Sequence, residues 1–299
     1  MLSFYGKTCC IYPNQFEKMK GQALVYSTVA VFCCNLYLIF SIVKYGETGN
    51  YKDDRAGYWG EKTANTNWCE PDYVVSHYVA EFWNTMSSFL IFFYGIYGIV
   101  MHPWAERRFF TALCCFIVVG LGSAAFHATL WRSMQLMDEL PMLWSNSAFS
   151  YAVHFMERKG SPNFQFVAVL AVVTCILTYS VIEFDKEDQV IFLLSYGSGV
   201  GFLMYQSILL RKKYTHTQKH VDLGLFSVFL YLLGFCVWLT DRRFCPTVQN
   251  LHLHSWWHFC AGTGTFMAIL FWMQVREAFK GEQKVVYQNL SLRRVPKEV

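Results

Sequence analysis

The sequence predicts an all-α membrane protein: a bundle of seven transmembrane helices, with an additional transmembrane helix at the N-terminus. Two observations predict this fold. Of the 299 residues, 54% are hydrophobic and only 15% are charged. Apolar stretches of about 20 residues also recur along the chain, and each is long enough to span a bilayer. The net charge of +4 is spread over the loops and the C-terminal end, so nothing favours a nucleic-acid partner.

The apolar stretches divide the chain into three parts. Residues 1–45 contain an apolar run at 23–43, which we interpret as a retained helix because it is longer than the apolar part of a signal peptide and lacks a clear cleavage site. A helical domain over 46–280 begins with a polar loop. Its apolar segments lie at about 74–101, 109–130, 140–157, 164–183, 190–210, 222–240 and 255–276. A basic tail, 281–299, is predicted to be disordered.

The distribution of Lys and Arg predicts the orientation. Roughly seventeen of the 25 basic residues fall on one side of these spans, which should be cytosolic and should include the C-terminus. The opposite face is then lumenal or extracellular.

Several polar residues within apolar segments fall on that opposite face. Ser123 and His127 lie four residues apart, as do His254 and His258, so each pair shares one face of a helix. Asp138 is expected just past the helix that carries Ser123. Because an ionisable residue inside a membrane is costly, such residues indicate a functional site.

Three histidines with an open fourth position form the ligand set of a catalytic zinc ion. A single histidine in a helical bundle is more often a hydrogen-bonded core residue, but the spacing of His254 and His258 and their convergence with His127 favour a metal. In such a site Asp138 is suited to accept a proton from water, and Ser123 to hydrogen-bond the water or an oxyanion. The chemistry is hydrolysis of an amide or ester, and the apolar surroundings predict a lipid substrate.

These residues lie in motifs that resemble the alkaline ceramidases, seven-helix intramembrane amidases in a superfamily that also contains adiponectin-receptor-like proteins. The resemblance covers about residues 57–276. The matching motifs are GYWG (57–60), NWCEPDY (67–73), AEFWNT (80–85), GSAAFH (122–127), QLMDELPM (135–142) and HSWWH (254–258).

The resemblance implies a zinc site made by Ser123, His127, Asp138, His254 and His258. It also implies a calcium site in the polar loop, where oxygen atoms suit that ion. The matching calcium ligands are Asn67, the Trp68 carbonyl, Glu70, Asp72 and Glu81. Asn67 stands where the family commonly has Asp, and Asp72 where it commonly has Asn, so oxygen count and charge are kept. Taken without the resemblance, this loop reads as a solvated acidic segment.

Two further implications come from the family alone. Tyr196 matches a tyrosine that helps polarise the substrate carbonyl, although its neighbours diverge and it also reads as a packing aromatic residue. Cys69 and Cys245 match positions that the family joins by a disulfide.

The resulting hypothesis is a zinc-dependent amidohydrolase that cleaves the N-acyl bond of ceramides. We expect it in the endoplasmic reticulum or Golgi membrane, with its site near the lumenal face, and no obligate protein partner is evident. The alternatives are a lipid-remodelling esterase or phospholipase of the same superfamily, and a seven-helix lipid-sensing receptor.

Overall fold

The computed structural model describes residues 55–160, 162–186, 189–214, 222–281 and 284–295. Over these residues the chain forms seven α-helices and one two-stranded hairpin. The helices are α1 (Phe82–Met101), α2 (Arg107–Thr129), α3 (Arg132–His154), α4 (Phe164–Phe184), α5 (Val190–Lys213), α6 (Leu223–Val248) and α7 (Leu253–Lys280). The helix predicted at 23–43 lies outside the described residues.

Five of the helices, α1, α2, α4, α5 and α6, are long and apolar enough to cross a membrane. The other two, α3 and α7, carry polar residues within their first two turns, among them Asp138 and His254. The prediction of an all-α, seven-helix membrane protein is confirmed. These two less apolar helices supply Asp138, His254 and His258, and the apolar helix α2 supplies Ser123 and His127.

The last helix, α7, forms the centre of the bundle. Most of its 28 residues are buried, and Phe266, Leu270 and Phe271 have no exposed surface. Gly264 allows α6 to approach closely, since a Cβ atom there would lie 3.0 Å from the Ser227 carbonyl oxygen. Small residues at such contacts let membrane helices pack through dispersion forces.

Two predicted helix boundaries are wrong at the end of the bundle where α1 begins. The segment expected at 74–101 becomes helical only at Phe82, because the preceding N–H groups of Ala80 and Glu81 donate to the carbonyls of Ala128 and His127 (2.9 Å each). Asp138 lies beyond α2, as expected, but it is inside α3 rather than in a connection between helices. The polar residues at the start of α3 concealed its first two turns, so the expected segment at 140–157 begins too late.

Residues 284–295 of the C-terminal tail form regular structure, contrary to the prediction of disorder. Strands β1 (Lys284–Gln288) and β2 (Ser291–Val295) pair in antiparallel fashion. Asn289 and Leu290 form the turn with φ of 50° and 58°, the left-handed geometry that suits tight hairpins. Leu292 is only 1% exposed. Burial of this side chain fixes the hairpin against the helices. The many Lys and Arg residues of the tail gave no indication of this contact.

Candidate metal centre and catalytic site

All the site residues lie at one end of the bundle. The C-terminal end of α2 meets the N-terminal ends of α1, α3 and α7 there, because successive helices run in opposite directions. The polar loop before α1 covers this end, and the N–H groups of Thr63 and Ala64 donate to the Leu130 carbonyl (3.1 and 2.9 Å). These bonds hold the loop against the helix ends.

His127, His254 and His258 form a buried cluster. One ligand atom from each lies within 4.8 Å of the others, and no side chain is more than 5% exposed. The predicted convergence of residues from α2 and α7 is therefore present in the structure. Neutral imidazole nitrogens at this separation suit a zinc ion that keeps an open coordination position.

Hydrogen bonds orient two of the rings. His127 Nδ1 bonds to Glu81 Oε2, while the buried His127 Nε2 has no hydrogen-bond partner among the described residues. His258 Nδ1 bonds to Ser87 Oγ at 2.8 Å, which leaves its Nε2 available. Residues behind the ligands commonly fix the ring orientation of metal-binding histidines in this way.

His254 is held by packing and by its backbone. The Trp68 ring stacks on the His254 ring with centroids 3.8 Å apart and an interplanar angle of 18°. The Asp241 carboxylate accepts hydrogen bonds from the backbone N–H groups of His254 and Cys69. The start of α7 is thus tied both to α6 and to the polar loop.

Ser123 and Asp138 lie beside the histidines. The Asp138 carboxylate accepts a hydrogen bond from Ser123, and Ser123 Oγ is also 3.0 Å from Ser88 Oγ. Gly122 permits this contact, because a Cβ atom there would lie 2.0 Å from the Met137 carbonyl oxygen. A larger residue would separate α2 from α3 and move the carboxylate away from the histidines.

A cavity of about 520 Å³ opens next to the cluster. Ser123, Asp138, His254 and His258 line it together with a largely apolar wall. Its volume lies within the range of small-molecule sites. The arrangement can hold the polar part of a lipid near the histidines while apolar side chains contact its hydrocarbon.

Tyr196 lies in the cavity wall, where its hydroxyl bonds to that of Tyr231. It also stacks on Phe192 with centroids 5.6 Å apart. Both interpretations of Tyr196 from the sequence are thus compatible with its position. Its hydroxyl faces the same space as Asp138.

The proposed calcium ligands cluster in the loop before α1. Glu70, Asp72 and Glu81 are all buried, with 3%, 0% and 0% of their surface exposed. Asp72 Oδ2 accepts from Lys62 Nζ (2.6 Å) and Asn67 Nδ2 (3.0 Å). The Asn67 Oδ1 atom is buried without a hydrogen-bond donor in the described part of the chain.

The first turn of α1 also binds two of these carboxylates. Glu70 accepts from the N–H groups of Trp83 (2.7 Å) and Asn84 (2.9 Å), and Glu81 Oε2 accepts from Asn84 Nδ2 (3.1 Å). Glu81 Oε1 also accepts from the N–H of Trp68 in the loop (2.8 Å). Burial, together with the negative charge of Glu81, raises the pKa of Glu70 to about 8. Three buried carboxylates and a vacant amide oxygen suit a hard cation with several oxygen ligands.

The side chains of Cys69 and Cys245 face each other across the polar loop and the end of α6, with Cα atoms 5.4 Å apart. This separation lies within the range of disulfide-bonded cysteines.

Sequence reasoning missed several residues of the site. Ser87, Ser88, Asn84 and Asp241 support the histidines or the carboxylates, and Tyr231 pairs with Tyr196. Asp241 gave only a weak signal, because it directly follows the apolar segment expected at 222–240 and precedes Arg242 and Arg243. The serines carried no such signal, since isolated hydroxyls are common in membrane helices.

The fold and the site define a class of protein: a multi-helix membrane protein with a buried histidine cluster that can hold a metal ion beside an apolar cavity. A family model described as Ceramidase matches residues 60–297. The chain is 33% identical over 244 residues to Alkaline ceramidase 3 of Mus musculus, covering 76% of this chain and 89% of that protein.

Two other relatives are similar over comparable lengths. The chain is 31% identical over 250 residues to Putative alkaline ceramidase dcd3A of Dictyostelium discoideum, covering 72% of this chain and 87% of that protein. It is 28% identical over 256 residues to Alkaline ceramidase of Arabidopsis thaliana, covering 79% and 93%. The chain belongs to the ceramidase family, and it is a hydrolase that acts on amide bonds.

Proposed function

We propose that this protein hydrolyses the N-acyl amide bond of ceramides in a zinc-dependent reaction and releases a sphingoid base and a fatty acid. The observation that carries the proposal is the meeting of three buried histidines with Asp138 at an apolar cavity. His127, His254 and His258 would hold the zinc ion. When bound, zinc polarises a carbonyl group and lowers the pKa of water.

The protein's own residues supply positioning and proton transfer. Asp138 takes a proton from a water molecule next to the scissile carbonyl and then delivers a proton to the leaving nitrogen. Ser123 orients Asp138 through their hydrogen bond and offers a polar contact to the water. The Tyr196 hydroxyl, held by Tyr231, stabilises negative charge that develops on the carbonyl oxygen.

The loop before α1 is proposed to bind calcium through Asn67, the Trp68 carbonyl, Glu70, Asp72 and Glu81. Calcium would not react but would hold the loop in position. The contacts of Glu81 with His127 and of Trp68 with His254 support this role, since two of the calcium ligands touch two of the histidines. A calcium-selective chelator should therefore lower turnover while the zinc content stays unchanged.

A disulfide between Cys69 and Cys245 is proposed to tie this loop to the end of α6, closing a separation of 176 residues. Alkylation of the unreduced protein followed by mass spectrometry tests it. We expect these two thiols to remain unlabelled until a reductant is added. Labelling of both without a reductant would contradict the bond.

The protein is proposed to span the endoplasmic reticulum or Golgi membrane several times, with the C-terminus cytosolic. The basic residues near the end opposite the histidines support this orientation, among them Arg107, Arg158 and Lys212. Asn289, Leu290 and Ser291 form an N-glycosylation sequon in the C-terminal tail, and on the cytosolic side it should carry no glycan. A glycan would appear as a decrease in mass on endoglycosidase treatment. If that decrease occurs in the wild type and is absent in Asn289→Gln, the C-terminus is lumenal and the assigned orientation is wrong.

The central test uses the purified full-length protein with a ceramide and with a diacyl phospholipid of matched acyl chains. We expect stoichiometric zinc and release of fatty acid from the ceramide. Faster release from the phospholipid would favour the esterase alternative. Full turnover in protein free of zinc would contradict the metal-dependent mechanism.

A further inference from the structure

A second polar group, which the proposed reaction does not use, lines the same cavity. Glu139 follows Asp138 in α3, and Gln189 immediately precedes α5. Their side chains are only 3% and 4% exposed, and both face the cavity.

The hydrogen bonds of these side chains fix which atoms remain available. The Asn65 N–H donates to Gln135 Oε1 (2.8 Å), so Gln135 Nε2 must face Glu139 Oε1, at 2.6 Å. Gln189 Nε2 donates to the same carboxylate oxygen. Because a carboxylate oxygen only accepts hydrogen bonds, the orientations of both amides follow from these contacts.

Two acceptor atoms are left over. Glu139 Oε2 and Gln189 Oε1 are buried and receive no hydrogen bond from any residue that the structure describes. The Arg132 guanidinium is near, with Nη1 3.7 Å from Glu139 Oε2, too far for a hydrogen bond. Buried acceptors are nearly always satisfied in folded proteins, so two vacant ones on a cavity wall indicate a ligand that brings donors.

The backbone also holds Gln189 in place. Gln189 has φ of 53° and ψ of 25°, the left-handed region that residues other than glycine adopt infrequently. The Asp185 carboxylate accepts from the N–H groups of Ile191 (3.2 Å) and Phe192 (2.8 Å) and so caps the start of α5. A sparsely populated conformation that its surroundings impose is typical of functional positions.

We propose that Glu139 and Gln189 form a subsite that binds the hydroxyl groups of the sphingoid headgroup. This inference rests on the proposed ceramide hydrolysis. A ceramide carries two hydroxyl groups on the carbons that flank the amide-bearing carbon, and each can donate to one vacant acceptor. Since Glu139 adjoins Asp138, a headgroup held there places its amide beside the proposed base. Diacyl phospholipids offer no hydroxyl donors on the carbons next to their ester-bearing carbons, so the pair would favour ceramides over them.

The test compares three substrates with the same acyl chain: the ceramide, its 1-deoxy analogue and its 3-deoxy analogue. For the wild-type protein we expect kcat/KM on the ceramide to exceed that on at least one analogue about 100-fold, since a site built to bind a hydroxyl group discriminates strongly against its loss. Equal values on all three substrates would overturn the proposal.

Two variants identify the residues. Glu139→Gln preserves shape but replaces the vacant acceptor with an amide donor, and Gln189→Met removes its acceptor. Each should lower kcat/KM on the ceramide about 10-fold or more while leaving the value on the poorer analogue within about threefold. An equal decrease on every substrate would show a merely structural role and would contradict the subsite.

Ser147→Ala is the matched control, because Ser147 bonds to Thr174 between α3 and α4 and does not line the cavity. Its substrate preference should equal that of the wild type. If the zinc-loaded wild type hydrolyses none of the three substrates, the proposed function itself fails and the subsite falls with it. That result differs from equal turnover of all three, which rejects the subsite alone.

Discussion

At the end of the bundle that carries the histidines, Glu70 and Glu81 are buried close to each other. At the opposite end, Glu106 and Glu277 contact basic side chains. Arg276 Nε and Lys280 Nζ both lie 2.9 Å from Glu106 Oε1, and Lys280 also contacts Glu277 at 2.7 Å. The two ends therefore differ in where basic side chains are placed: within the described ranges, they lie beside Glu106 and Glu277 but not beside Glu70.

The pKa values follow this difference. Burial and the neighbouring charge of Glu81 raise the pKa of Glu70 to about 8. Burial alone would also raise the pKa of Glu106, but hydrogen bonds from Lys280 and Arg276 lower it below its usual value. The ion pairs stabilise the opposite end without a ligand, whereas the closely spaced carboxyl groups at the histidine end would be stabilised by a bound cation.

The largest effect should come from Asp138→Asn at the histidine end. The amide keeps the shape of the side chain but cannot take a proton, so kcat should fall about 10²- to 10⁴-fold. Zinc content and thermal unfolding should stay close to the wild type. Near-full turnover with zinc bound would show that another group acts as the base.

Arg276→Met at the opposite end should produce the reverse pattern. Arg276 also donates to the Met156 and Arg158 carbonyls (2.7 and 2.9 Å), so its loss removes a donor from one buried and one partly buried carbonyl and a cation from Glu106. We expect a loss of about 3 kcal/mol in the free energy of unfolding. Thermal unfolding in detergent measures it, and kcat/KM below the unfolding temperature should remain unchanged.

Glu81→Gln tests whether the loop and the histidines act together. Removing this charge weakens the proposed calcium site and alters the partner of His127. Activity and calcium affinity should each fall about 10- to 100-fold. Glu183→Gln, which alters an exposed carboxylate on α4, is the control and should change neither. If activity falls but calcium affinity does not, Glu81 acts on the reaction through His127 and not through calcium, which would contradict the predicted coupling.

The smallest effect concerns the hairpin at the opposite end. His102 Nδ1 donates to the Gly98 carbonyl (2.8 Å), and its Nε2 accepts from the Leu292 N–H (2.9 Å), so the bound ring is neutral. Burial lowers the pKa of His102 below its usual value of about 6.5. The contribution of this contact is therefore fully present above about pH 6.5 and is lost as the pH falls further.

Hydrogen exchange of the Leu292 amide measures this loss. Protection should decrease at low pH in the wild type by more than in His102→Ala, which lacks the titrating ring. Equal pH dependence in both proteins would show that another group controls the hairpin.

The sequence predicted the helical bundle and the main site residues for one physical reason. A membrane-spanning segment can be identified from its own length and apolar composition, without knowledge of what it packs against. Charged residues and histidines within such a segment are conspicuous because burying them in a membrane is costly. His127, His254 and His258 were found in this way. The start of α3 was missed because its polar residues removed the same signal.

Only the tertiary structure decided how these residues meet. The hydrogen bond of Glu81 with His127, the contact of Trp68 with His254 and the vacant acceptors of Glu139 and Gln189 depend on the angles and spacing of packed helices. The docking of the hairpin through Leu292 depends on a pocket built by distant segments. Local sequence periodicity places a side chain on a helix face, but the atom that it contacts is set by the packing of the whole bundle.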